Sequence, residues 1–159
     1  MFRRVFVLVV TLAALAGCAP GAGVDEMEAA QTELVAYFAA LANGGYDTAA
    51  GMMADNPDFW EMAQANNPDV DPGDEAALLQ AVCERQSLCM PVHDLVEEEK
   101  VKEGEYHFTV RFALEGEVFE LGPCCGATED EMPPISEFSY EVIQDGDRFL
   151  VRAEPLYVP

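Results

Sequence analysis

The sequence is poor in basic residues. It has 8 Lys and Arg against 30 Asp and Glu, which gives a formal net charge of −22 at pH 7. Because binding the phosphates of nucleic acid requires a basic face, we do not expect nucleic acid as a partner. The charge would hold the domain off anionic lipid headgroups and attract a cationic partner or divalent ions. A solvated acidic surface that aids solubility is the alternative interpretation.

The sequence also lacks recognisable catalytic and cofactor motifs. It contains no internal repeat, no phosphate-binding loop, no Cys-x-x-Cys and no nucleophilic serine or cysteine motif. Asn67, Asp69 and Asp71 have the spacing that opens a calcium loop, but Pro72 and Leu78 stand where that loop needs glycine and glutamate. We therefore predict an Asx-rich turn there, and neither a metal site nor a cofactor.

The longest apolar run lies at the N-terminus. Arg3 and Arg4 precede a run over residues 5–16 that is interrupted by Thr11. The run is shorter than the ~20 residues that span a bilayer. A basic start, a short apolar core and small residues are typical of a secretory signal. An exported protein is therefore predicted.

The end of this run, Leu15-Ala16-Gly17-Cys18, resembles the lipobox of bacterial lipoproteins. The resemblance implies a signal peptide over residues 1–17, cleavage before Cys18 and lipidation of that cysteine. Residues 18–24 then form a small, Gly-rich tether to a domain over residues 25–159. The domain would sit outside the cytoplasm, anchored to the cell membrane or the outer membrane. An ordinary secretory signal with a chance cysteine is the alternative.

Helical periodicity dominates the first half of the domain. Five apolar residues recur at helical spacing between residues 26 and 42, namely Met27, Ala30, Leu34, Phe38 and Leu41. Asp25 and Glu28 can form a capping box, and Asn43-Gly44 supplies a stop. Asp47 is predicted to cap a short helix through Met53. Asn56-Pro57 is predicted to open another helix through about Gln64.

A third short helix is predicted from Asp71-Pro72 to about Arg85. Residues 106–114 then alternate in polarity, as a half-buried strand does, with Tyr106, Phe108, Val110, Phe112 and Leu114 on one face. A Glu115-Gly116 turn would set Val110 against Leu121. An Asp145-Gly146 turn of type I′ would set Val142 against Phe149. Conflicting parities in the strand before Gly104 predict a bulge near Glu97-Glu98-Glu99.

Helices followed by antiparallel strands indicate an α+β fold, with N-terminal helices packed on a curved antiparallel sheet. Residues 35–50, with the Gly44-Gly45-Tyr46-Asp47 turn, resemble the opening of the nuclear transport factor 2-like (cystatin-like cone) superfamily. Residues 142–153 are similar to its paired last strands. The resemblance implies a cone-like sheet wrapped over the helices. Functions in that superfamily range from isomerases and dehydratases to binding modules.

The face that would line such a cone is almost purely apolar. Tyr46, Tyr106 and Tyr140 are the candidates to line a ligand pocket, although core aromatics whose hydroxyls reach the rim are the favoured interpretation. Isomerases of the superfamily place a carboxylate base on this face, and no such acid is predicted here. His93 and Asp94 are strand neighbours that should point to opposite faces, so a dyad is not expected. No catalytic residue is therefore predicted.

Four cysteines follow Cys18, and an even number in an exported domain suggests disulfides. We predict at least one bond from Cys83 or Cys89 to Cys124 or Cys125. A local Cys83–Cys89 bond is the first alternative, and a four-thiolate metal site is the second.

Taken together, these patterns predict a membrane-anchored, non-catalytic domain that binds a small ligand or an envelope protein. One alternative is an isomerase, dehydratase or hydrolase that uses the cone pocket, and another is a purely structural envelope lipoprotein. The outward face of the last hairpin, with Ile143 and Leu150, could support a homodimer.

Overall fold

The computed structural model describes residues 26–157, and the predicted signal segment, Cys18, the predicted tether and Asp25 lie outside this range. Four helices precede an antiparallel sheet, which confirms the α+β class. Within residues 26–157 no helix has the length and apolarity needed to cross a membrane. In chain order the elements are α1 (Glu26–Ala42), α2 (Tyr46–Met52), α3 (Pro57–Asn66), α4 (Glu75–Arg85), β1 (Ser87–Leu88), β2 (Val92–Lys102), β3 (Glu105–Leu114), β4 (Glu117–Val118), β5 (Phe138–Asp145), β6 (Arg148–Arg152) and β7 (Leu156–Tyr157).

Most strands belong to one antiparallel sheet in the order β2-β3-β5-β6, with β4 paired to the end of β3. A separate pair, β1 and β7, joins the end of the helical half to the end of the described chain. The main core lies between α1 and one face of the larger sheet, where Phe38 contacts both Phe112 and Tyr140 with ring centroids 4.8 Å apart.

The predicted bounds of α1 are confirmed. Ala30, Leu34, Phe38 and Leu41 are buried as the spacing predicted, and Tyr37 is buried beside them. The helix ends at a turn in which Gly44 has a φ of 74°, a left-handed conformation that favours glycine.

The predicted cap of α3 is confirmed, because the Asn56 Oδ1 accepts a hydrogen bond from the Phe59 amide at 3.1 Å. Two other predicted helix starts are wrong. Asp47 does not cap α2, since the helix begins earlier, after Gly45, and has no side-chain cap. The helix α4 begins after Asp74, because Asp71 accepts from the Gly73 amide in a turn that ends before it.

The edge strand β2 contains three register shifts against β3, and these fall at His93, Val96 and Val101. The second lies directly before the predicted bulge at Glu97-Glu98-Glu99. Bulges increase strand twist, and edge strands that carry bulges and charges resist pairing with other chains.

The register predicted for the first hairpin is confirmed where its strands pair, because Leu114 lies opposite Glu117 and Ala113 opposite Val118 around the Glu115-Gly116 turn. The pairing does not extend to Leu121, and the register predicted for the second hairpin is wrong. Leu121 pairs with Ile135 instead of Val110, because β4 ends after two residues, and Leu114 is exposed rather than on the buried face. The last turn is Gly146-Asp147, so Val142 lies opposite Val151. Only Gly146 has a positive φ, 61°, which is typical of a type II′ rather than a type I′ turn. This two-residue shift leaves every side chain on its predicted face.

Candidate functional site

The sheet face that would line a cone is filled by side chains. Tyr106, Phe108, Val110 and Phe112 of β3 are at most 1% exposed, and α1 packs against them. Tyr140 is half-buried and contacts Phe38 and Phe112. Neither Tyr106 nor Tyr140 lines either of the two surface cavities described below.

The tyrosine hydroxyls on this face act as structural donors or are desolvated. Tyr37 is fully buried and donates to the Ala153 carbonyl at 3.0 Å. Burial raises the pKa of Tyr37 and of Tyr140 far above the usual range. A phenol with a strongly raised pKa stays protonated at neutral pH, so neither group is suited to serve as a general base.

An ion pair between Glu26 and Lys100 lies at the edge of the same face. The Glu26 carboxylate accepts from the Lys100 ammonium and from the Tyr106 hydroxyl, both at 2.9 Å. These bonds lower the pKa of Glu26, and the bonds from Lys100 to Glu26 and Glu103 raise the pKa of Lys100. Burial, together with the bond to Glu26, raises the pKa of Tyr106. All three pKa values are moved further from neutral pH. This favours a structural role for the ion pair over proton transfer.

An apolar cleft lies away from the sheet, between α3, α4 and the segment that leads to β7. Its volume is about 340 Å³, and Phe59, Met62, Val82 and Pro155 form its apolar wall. Asn66, Gln86, Ser87 and Glu154 supply its polar rim. Met62 is 48% exposed, so the cleft presents a large unpartnered apolar side chain to solvent.

Tyr46, the third predicted pocket residue, lines a different and more polar cavity of about 290 Å³. Asp47, Asp74 and Gln80 share that cavity. The structure therefore does not bring the three candidate tyrosines to one pocket.

A cluster on the outer face of the sheet could offer ligands to a metal ion. One ligand atom each from Glu105, His107 and Glu141 lies within 4.8 Å of the others. Both carboxylates already have cationic partners, since Lys102 pairs with Glu105 and Arg152 with Glu141. These two cations offset the carboxylate charge that would attract a divalent ion. We assign the cluster to cross-strand ion pairing.

His93 and Asp94 do contact each other, contrary to prediction. The His93 Nδ1 lies 2.8 Å from the Asp94 Oδ1, because the register shift at His93 breaks the alternation of the strand. Arg111 binds both oxygens of Asp94, and this pairing lowers the pKa of Asp94 to about 2. The prediction for His93 and Asp94 failed because it assumed regular alternation and placed no bulge at His93.

The Asx-rich segment is a turn, as predicted. Asn67 is fully buried and accepts from Arg85 at 3.2 Å, while Arg85 also binds both oxygens of Asp69. Asp71 accepts from the Gly73 amide at 2.9 Å. An arginine therefore supplies the positive charge that calcium would supply in a calcium loop.

The predicted cross-link between the two cysteine pairs is wrong. Cys83 is bonded to Cys89, with their Cα atoms 5.5 Å apart, which is the first alternative named above. The chain reverses between the end of α4 and β1, which pairs with β7. This reversal brings Cys89 next to Cys83. Cys124 and Cys125 are free thiols.

No protein-family model and no curated protein matches this sequence.

Proposed function

We propose that the protein is a lipid-anchored domain outside the cytoplasm that works by binding another envelope protein, without catalysis. The proposed anchor rests on the lipobox at Cys18. Tethering raises the effective concentration of the domain near partners in the same membrane.

The groups on the core face support the non-catalytic part of this proposal. Tyr37, Tyr106 and Glu26 are committed to structural hydrogen bonds. Their pKa values move away from the physiological range, whereas a general acid or base works best with a pKa near the working pH. An open cone pocket, which the enzyme alternative needs, has no support from this packing.

The observation that carries the binding proposal is the cleft between α3 and α4. It exposes Met62 beside the buried Phe59 and Val82, and Glu154 is the one charged residue among the described residues that line it. Removal of Arg3 and Arg4 with the signal leaves 6 basic residues against 30 acidic ones, a net charge of −24. A partner segment that offers an apolar side chain next to a basic one would complement this cleft.

Photocrosslinking in living cells tests the site. A photoreactive side chain at Met62 should capture a specific envelope protein, and the same group at Met132, 37% exposed in the β4–β5 loop and outside the cleft, should not. Met62→Asp should then weaken binding of the identified partner at least tenfold, whereas Met132→Asp should leave binding unchanged. Equal capture from both positions, or no capture from either, would favour the purely structural alternative.

The anchor and the absence of catalysis are tested separately. Cys18→Ser should release the protein from the membrane fraction, and Cys125→Ser, a matched change in the folded domain, should not.

A broad screen of isomerase, dehydratase and hydrolase substrates should find no turnover. A turnover that disappears in Tyr106→Phe or Tyr140→Phe would establish the enzyme alternative.

A further inference from the structure

The loop between β4 and β5 holds two adjacent free thiols in contact. The Sγ atoms of Cys124 and Cys125 are 2.8 Å apart. Cys124 is half-buried and Cys125 is exposed, so solvent molecules can reach the pair.

The backbone around these thiols has an unusual conformation for cysteine. A turn is closed by the Ala127 amide, which donates to the Cys124 carbonyl at 3.0 Å. Both central residues have positive φ values, 60° at Cys125 and 89° at Gly126, as in a type I′ turn. A left-handed conformation is uncommon for residues other than Gly, Asn and Asp, and such outliers gather at functional sites.

The base of the loop is fixed. The amides of Leu121 and Ile135 each donate to the carbonyl of the other, at 2.8 and 3.0 Å. This bridge separates the cysteine turn from the sheet, so a chemical change at the two thiols need not disturb the core.

We propose that Cys124 and Cys125 form an exposed redox-active dithiol that exchanges with disulfides of other molecules. The Cys125 thiolate attacks one sulfur of an incoming disulfide and expels the other as a thiolate, which takes up a proton. Cys124 then loses its proton and attacks the Cys125 sulfur of this mixed disulfide, which expels the second thiolate. The pair gives up two electrons and two protons, and the incoming disulfide becomes two thiols.

The order of attack follows from the surroundings of the two thiols. The hydrogen bond with Cys125, together with partial burial, raises the pKa of Cys124. Cys125 is exposed and Cys124 is half-buried, so an incoming disulfide reaches Cys125 first, and Cys124 then resolves the mixed disulfide from its position 2.8 Å from the Cys125 sulfur. The Cys83–Cys89 bond takes no part and serves as an internal control.

Oxidised glutathione is the probe, applied to full-length protein purified from membranes in detergent. Trypsin places both cysteines in the peptide of residues 112–148, which contains no other cysteine. In the wild-type protein this peptide should become two hydrogens lighter and carry no glutathione. In Cys124→Ser the same peptide should keep one glutathione on Cys125. A wild-type peptide that stays reduced, or that accumulates glutathione without the internal bond, would overturn the proposal.

The role of the turn is tested by two glycine substitutions. An added Cβ meets no atom within 4 Å at Gly126 or at Gly122, so neither change creates a clash. Only Gly126 has a positive φ, so Gly126→Ala should disfavour the turn and slow internal disulfide formation roughly fivefold or more. Gly122→Ala should react at the wild-type rate. Equal rates for the two variants would show that the turn does not hold the thiols together.

Discussion

Tyr37 places a polar atom in the middle of the core. Its hydroxyl donates to the Ala153 carbonyl across 116 residues of sequence, and the residue is fully buried between α1 and the end of β6. The bond therefore links the first helix to the last part of the fold.

Tyr37→Phe should lower the free energy of unfolding by about 1–3 kcal/mol, because the Ala153 carbonyl loses its donor in a buried position. Urea unfolding followed by circular dichroism measures the change. Tyr140→Phe is the matched control, since the Tyr140 hydroxyl has no hydrogen-bond partner among residues 26–157. Equal losses in the two variants would contradict the role given to this bond.

Asp94, on the outer face of the sheet, makes the stability of the folded protein depend on pH in the acid range. Pairing with Arg111 and His93 depresses the pKa of Asp94 from 3.8 to about 2 in the folded protein. A carboxyl whose pKa is lower in the folded protein than in the unfolded protein stabilises the fold at any pH above its unfolded-state pKa. This contribution is lost as the pH falls through its folded-state pKa.

The wild-type protein should therefore be more stable than Asp94→Asn at neutral pH. The difference should shrink as the pH falls from about 4 to about 2, where the carboxyl becomes neutral in both states. Thermal unfolding of both proteins across that range measures it. A difference that stays constant down to pH 2 would show that Asp94 acts through its shape instead of its charge.

At the scale of the element, helices were predicted well where their signals are local. The apolar spacing of α1 and the Asn56-Pro57 start of α3 involve residues within one or two turns, and both are confirmed. Asp47 and Asp71 offered the same type of cap as Asn56. The sequence did not show that the chain around each of them would adopt another turn.

Features that depend on distant pairing were predicted less well. The faces of the last hairpin are correct because alternation sets them, but its register is wrong because Asp145-Gly146 and Gly146-Asp147 are both good turns. The Cys83–Cys89 bond depends on β1, which forms by pairing with β7 about 70 residues later. The contact of His93 with Asp94 depends on a bulge against β3.

The two predicted caps allow a direct comparison. Asn56→Ala should cost about 1 kcal/mol of unfolding free energy, because the Phe59 amide loses its side-chain acceptor. Asp47→Ala should cost clearly less, since α2 has no side-chain cap bond to lose. Urea unfolding of both variants distinguishes them, and a larger loss for Asp47→Ala would restore the cap that the sequence predicted.

At the scale of the whole molecule, charge opposes self-association. The chain has 30 acidic residues, and copies of such a protein repel one another at low ionic strength. Salt shortens the reach of this repulsion. A proposed homodimer through the outer sheet face should therefore strengthen with salt, while binding of a basic partner at the α3–α4 cleft should weaken.

The proposed sheet-face contact centres on Ile143 and Leu150, which lie opposite each other on β5 and β6 and are half-buried. The Glu141–Arg152 ion pair flanks them at 2.8 Å. A two-fold axis through this patch would bury both apolar pairs against each other and leave the ion pairs at the rim. The patch is small, so we expect a weak dimer.

Sedimentation velocity over a range of protein and salt concentrations should show a dimer that increases with salt. Ile143→Asp should abolish it, because the new carboxylate would face its own copy across the axis. Leu114→Asp, at a residue 44% exposed beyond the β3–β5 pairing, should dimerise like the wild-type protein. A wild-type protein that stays monomeric in high salt would rule out the sheet-face dimer, and the membrane anchor would then be the proposed means of bringing the domain close to its partners.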